Sequence, residues 1–147
     1  MPTPNPQELK RLLIAEGLEV FRTLADRVVL ADRVRDNLIM DSGVAAWLRE
    51  GTLGVRVVFR AQSNDFQGES PEGLLGQARR LAQHSIDAAF AEVSAESVPI
   101  HDPGDHTTVL DTWYEVSFEK TVEDTEQLVA ALKAALSWSK VATRGGP

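Results

Sequence analysis

The apolar positions change period several times along the chain. Leu9, Leu12, Leu13 and Ile14 recur at helical spacing and predict a helix over 7–16. Gly17 stands where a left-handed C-cap ends it. From Leu18 to Leu30 the signal is divided. Leu24, Val28 and Ala31 would suit a helix face, but Val20, Phe21, Val28 and Val29 are β-formers and Ala25-Asp26 can turn a hairpin. The preferred assignment is two short strands, about 18–23 and 27–31. Asp32 to Gly43 is weakly patterned, with alternating charges before Leu38-Ile39-Met40. It is expected to be a loop or a short helix that tucks those three side chains inward.

The next hairpin is clearer. Val44 to Arg49 and Leu53 to Ala61 flank Glu50-Gly51, a turn by composition. Leu53, Val55, Val57 and Phe59 share one strand face, and Arg56 and Arg60 share the other. That is the pattern of a half-buried antiparallel strand. After a polar stretch from Gln62 to Glu69, Ser70 and Pro71 supply an N-cap and a first helical residue. Leu75, Ala78, Ala82, Ile86, Ala89, Phe90 and Val93 then predict a helix over 71–93, with Gly73 and Gly76 allowing close approach to the sheet. Two strands follow over about 93–119. The first is interrupted by Pro99 and so belongs at an edge. The second, Thr112 to Lys120, points Tyr114, Val116 and Phe118 one way and Trp113, Glu115, Ser117 and Glu119 the other. Asp124 and Gln127 form a capping box for a closing helix over 125–141. Leu128, Ala131, Leu132, Ala135 and Leu136 make its buried stripe, with Trp138 and Val141 extending it.

The order α-β-β-β-β-α-β-β-α predicts an α+β fold: a twisted, mostly antiparallel sheet of about five or six strands with three helices on one face and end. A chain of 147 residues is expected to form one domain, with frayed tails at 1–6 and 142–147. No internal repeat or low-complexity tract is seen. Cysteine is absent, which excludes disulfides, thiolate chemistry and Cys-ligated zinc. No apolar run reaches a membrane-spanning length, and the leader MPTPNPQELK lacks a hydrophobic signal core, so a cytoplasmic location is expected. The net charge of −7 is unevenly placed. Residues 1–60 hold nine Lys/Arg against eight Asp/Glu, whereas residues 61–147 hold six against fourteen. An acidic half repels phosphate backbones, so nucleic acid is a poor partner and a basic protein, or plain solubility, is the natural use of the charge.

Candidate chemistry is sparse. Residues 101–106, HDPGDH, bring two imidazoles and two carboxylates together, a usable set for a divalent ion but also the composition of an ordinary hairpin tip. No metal or cofactor is assigned on that basis. Glu115, Glu119, Glu123, Asp124 and Glu126 suit a solvated strand face and a helix N-terminus better than an acid/base pair. No nucleophile elbow, P-loop or dinucleotide fingerprint is present, so an enzyme is disfavoured. Trp47 and Trp113 are core if the sheet is covered on both faces and partner contacts if one face is open. The Arg22, Arg27, Arg33, Arg35, Arg49, Arg56 and Arg60 set could bind an acidic group, although pairing within the molecule or with a twin subunit is favoured. Trp47, Trp113, Arg56 and Arg60 are therefore the candidate partner-binding residues.

The segments LKRLLIAEGLEV at 9–20 and TWYEVSFEKTVEDTEQLVAALKAAL at 112–136 carry a resemblance. A leading helix, a run of antiparallel strands, a long helix, a hairpin and a closing helix resembles the type III secretion chaperone-like fold, shared by the YbjN-like bacterial proteins. The likeness is one of element order over most of the chain and rests on no diagnostic motif. The 32–43 segment departs from it, being longer and more polar than a simple strand connection. The resemblance implies a small, acidic, cytoplasmic protein, often a homodimer, that binds another protein and catalyses nothing. The alternative is a small-ligand or divalent-metal-binding protein, with its site at the His101–His106 turn or between the sheet and the long helix.

Overall fold

The computed structural model describes residues 5–144. Of the tails 1–6 and 142–147, where fraying is expected, residues 1–4 and 145–147 lie outside the described residues, whereas Pro6 begins a helix and the buried Ala142 ends a strand instead of fraying. The elements are α1 (Pro6–Ala15), β1 (Val20–Thr23), β2 (Arg27–Arg35), β3 (Leu38–Arg49), β4 (Thr52–Gln62), a single 3₁₀ turn (Ser63–Asp65), α2 (Pro71–Gln83), β5 (Ala91–Asp102), β6 (Asp105–Val122), α3 (Thr125–Leu136) and β7 (Val141–Ala142). This is an α+β fold, with three α-helices and a seven-stranded open sheet among the described residues. The strand order is β1-β2-β3-β4-β6-β5, and β7 joins β4 in parallel. The described chain divides into two compact units. One comprises residues through Val57 with Glu119–Trp138, and the other Val58–Phe118 with the residues from Ser139.

In the first unit the strand registers build the core row by row. Val28, Ala46 and Val55 stand opposite one another on β2, β3 and β4, and Val44 opposes Val57. All five are fully buried, as are Leu9 and Leu13 of α1 and Leu128, Leu132 and Ala135 of α3. The α1 helix packs on β1 and β2, and α3 packs on β3. Burying one such aliphatic side chain is worth about 1.5–3 kcal/mol, so this layer holds the unit together. The caps follow local chemistry. Asn5 accepts the backbone N–H of Glu8, Asp124 accepts that of Gln127, and the Gln127 side chain returns to accept the N–H of Glu123. Gly17 has φ +88°, the left-handed conformation of a helix C-cap. Glu50 and Gly51 have φ 49° and 81°, so the β3–β4 turn is of the primed type that matches strand twist.

In the second unit, Leu74, Ala78, Leu81 and Ala82 of α2 are buried with Phe59, Ala61, Phe66, Phe90, Val116, Phe118 and Ala142. The rings of Phe59 and Phe118 meet edge to face, centroids 5.8 Å apart. Ser70 caps α2 by accepting the N–H of Gly73.

Four expectations are corrected. Residues 32–43 are strand rather than loop or helix, because β2 and β3 run on to a turn at Asp36-Asn37. The α2 helix stops at Gln83, ten residues early. Asp87 instead closes a local turn by accepting the N–H of Ala89, and Val93 lies exposed in β5. The closing helix ends at Leu136, where the Ser137 hydroxyl donates to the Ala134 carbonyl, and Val141 of β7 pairs with Arg60 of β4 instead of extending the helix. Neither Gly73 nor Gly76 serves close approach to the sheet: Gly76 faces open space, and Gly73 makes room for the Glu69 side chain.

Candidate functional site

Alternation along β2, β3 and β4 sends a second set of side chains to the opposite face of the first unit. Arg27, Trp47 and Gly54 form one row, and Val29, Ala45 and Arg56 the next. The Trp47 ring lies over Gly54, where any Cβ would collide with it. Trp47 is buried at 5% exposure, and its indole N–H finds no protein acceptor. The Arg49 guanidinium covers the ring at 4.6 Å from its centroid.

Arg49 is also the fork of a charge cluster. Its two terminal nitrogens donate to the two carboxylate oxygens of Glu119 at 2.7 and 3.0 Å, and Arg56 Nη1 donates to Glu119 Oε2 at 2.9 Å. Arg49 Nε reaches Asp26 Oδ2 at 3.4 Å, and Arg27 Nε reaches Asp26 Oδ1 at 3.2 Å. Desolvation, the largest single influence on Glu119, pushes its carboxyl up. The hydrogen bonds and charges of Arg49 and Arg56 together outweigh it and hold the group below the ordinary carboxylate range. Asp26 is lowered in the same way, its desolvation outweighed by Arg27 and Arg49.

The second unit repeats the theme with other partners. Arg60 donates Nε and Nη2 to Glu115 Oε2 at 3.0 and 2.9 Å, and lies 3.8 Å from the Trp113 ring centroid. Trp113 Nε1 donates to Asp111 Oδ2 at 3.1 Å. The other oxygen of Asp111 accepts the N–H groups of Asn64 and Thr112. Trp113, Glu115 and Arg60 are all half-buried. The four residues singled out in the sequence thus stand in two places: Trp47 and Arg56 in one unit, Trp113 and Arg60 in the other. Both arginines are paired to glutamates of their own unit.

The His101–His106 turn closes on itself. The Asp102 carboxylate accepts the Gly104 N–H at 2.7 Å, and Asp105 accepts the hydroxyls of Thr107 and Thr108 at 2.6 and 2.8 Å. These bonds, with the Thr107 hydroxyl foremost, lower the Asp105 carboxyl. Among the described residues no group of three or more His, Asp or Glu converges as a metal site.

The feature that sequence reasoning missed is the far end of the β2–β3 hairpin. Val34, Leu38, Ile39 and Met40 are exposed at 52, 39, 37 and 48%. They make up four of the ten exposed large apolar side chains among the described residues, gathered within seven positions. The hairpin bends where Gly43 takes φ 80°, with its N–H held by the Asp41 carboxylate and the Ser42 hydroxyl bonded to the Leu30 carbonyl. The Asp36-Asn37 pair, a turn by composition, was the available signal.

No family model, curated protein or solved structure matches the chain.

Proposed function

We propose that the protein is a noncatalytic protein-binding module, chaperone-like and cytoplasmic, that holds a partner protein against its exposed β2–β3 hairpin. The carrying observation is that Val34, Leu38, Ile39 and Met40, all within seven positions of one hairpin, are each exposed to water, with Leu38 and Met40 on one face of β3 and Ile39 on the other. A concentration of apolar side chains on an exposed strand pair costs solubility and is characteristic of a binding surface. The paired charges support the same reading. A Glu119 held ionised between two guanidiniums is a poor proton donor near neutral pH, and the same holds for Asp26. The order of helices and strands resembles that of the type III secretion chaperone-like proteins, and on that resemblance a second copy of this chain is the first partner to test.

The test compares the intact protein with a Leu38→Asp/Met40→Asp variant in sedimentation and in capture from host lysate. The expected result is self-association or capture of one stoichiometric protein, lost in the variant while its circular dichroism is unchanged. A monomer that captures nothing, or capture that persists undiminished in the variant, overturns the proposal.

A further inference from the structure

In the second unit, α2, the loop after the 3₁₀ turn and the segment after β7 border one recess of about 310 Å³, near the lower size of small-molecule sites. Two arginines line it, Arg80 from α2 and Arg144 from the C-terminal segment, and both are exposed. Neither has a carboxylate within ion-pair distance among the described residues, whereas the unit's other arginines do: Arg60 holds Glu115 and Arg79 holds Glu92. The other lining residues include Gln67, Gln77 and Thr143, whose side chains carry neutral hydrogen-bond donors. Gln77 Oε1 accepts from Arg80 Nη1 at 3.4 Å, which steadies that guanidinium. Glu69 also borders the recess, but its carboxylate is folded back over Gly73 in the first turn of α2, into space a Cβ would fill. There it meets the positive end of the helix. The buried Phe66 also borders the recess.

We propose that this recess binds a small phosphate monoester through Arg80 and Arg144. Two forked cations and several neutral donors arriving from three chain segments suit an oxyanion that accepts in several directions. A planar carboxylate is satisfied by one fork. The rest of the chain is acidic and repels anions at long range, so binding depends on these local contacts and is strongly weakened by salt. The site is independent of the β2–β3 hairpin, so either proposal can fail alone.

Inorganic phosphate and glycerol 3-phosphate are titrated into the full chain by calorimetry in low-salt buffer, with sulfate and acetate as competitors. Saturable one-to-one binding is expected. Arg80→Gln and Arg144→Gln should each weaken it about fivefold or more, as loss of a charge-assisted contact at an exposed site requires, while Arg11→Gln leaves it unchanged. Unaltered melting temperatures show that the variants fold. Sulfate should compete and acetate should not. Absence of saturable binding, equal binding by all three variants, or equal competition by acetate overturns the assignment.

Discussion

A Cβ on Gly54 would fall within the Trp47 ring, so Gly54→Ala must push the indole away from β4 and uncover the row that Arg49 now shields. The expected cost is about 1–3 kcal/mol, the range for overpacking a filled site. The urea midpoint should drop and tryptophan emission should shift to the red; an unchanged midpoint would show that the ring has another place to lie. The pairing of residues 47 and 54 was legible in the sequence, since a two-residue turn at Glu50-Gly51 sets it directly. The partners of the arginines were not. Alternation put Arg56 and Arg60 on one face of their strand, but Glu119 and Glu115 are 63 and 55 residues further along. Only the sheet order brings them close. A side chain's parity is local information, and its neighbour on the next strand is not.

At the scale of elements, the caps were readable because each is a bond between residues three or four apart. Asp124→Ala should therefore cost about 1 kcal/mol, measurable as a lower melting temperature, with Thr125→Ala on the first helical residue as the milder control. Helix ends were less readable. The spacing of Ala82, Ile86 and Phe90 imitates a continuing stripe, yet the chain leaves the helix at Gln83 and turns through Asp87. The 32–43 segment misled for the opposite reason. From Asp32 to Asp41 every residue is exposed, so no apolar alternation marks these strands. Exposure makes the hairpin tolerant: Leu38→Asp alone should change folding stability by less than about 0.5 kcal/mol, as at ordinary surface positions. A side chain tucked into a core would instead lose roughly 2–5 kcal/mol, so chemical denaturation of this one variant separates the two placements decisively.

At the scale of the whole molecule, stability rests partly on carboxylates that arginines hold in the charged form. Glu119 and Asp26 in one unit and Glu92 in the other have folded values below their ordinary ones; for Glu92 the Arg79 hydrogen bonds are the leading cause. A folded value below the unfolded value means that the unfolded chain binds the proton more readily. The stabilisation is then complete above the ordinary value, 4.5 for a glutamate, and is lost as the pH falls through the lower folded value. The urea midpoint should be flat from pH 7 to about pH 5.5 and decline below it. Glu119 should dominate that decline, because its side chain is only 8% exposed and is held by two arginines, whereas the Arg79–Glu92 pair is 41 and 36% exposed and open to screening. Glu119→Gln keeps the shape and removes the charge. It should cost about 1–2 kcal/mol at pH 7, discounted from a fully buried pair because Arg49 is 39% exposed. It should also flatten the acid limb, so that variant and parent converge as the pH falls below the lowered folded value of Glu119. A variant whose acid limb stays as steep as the parent's would place the titrating group elsewhere, with Asp26 the next to test.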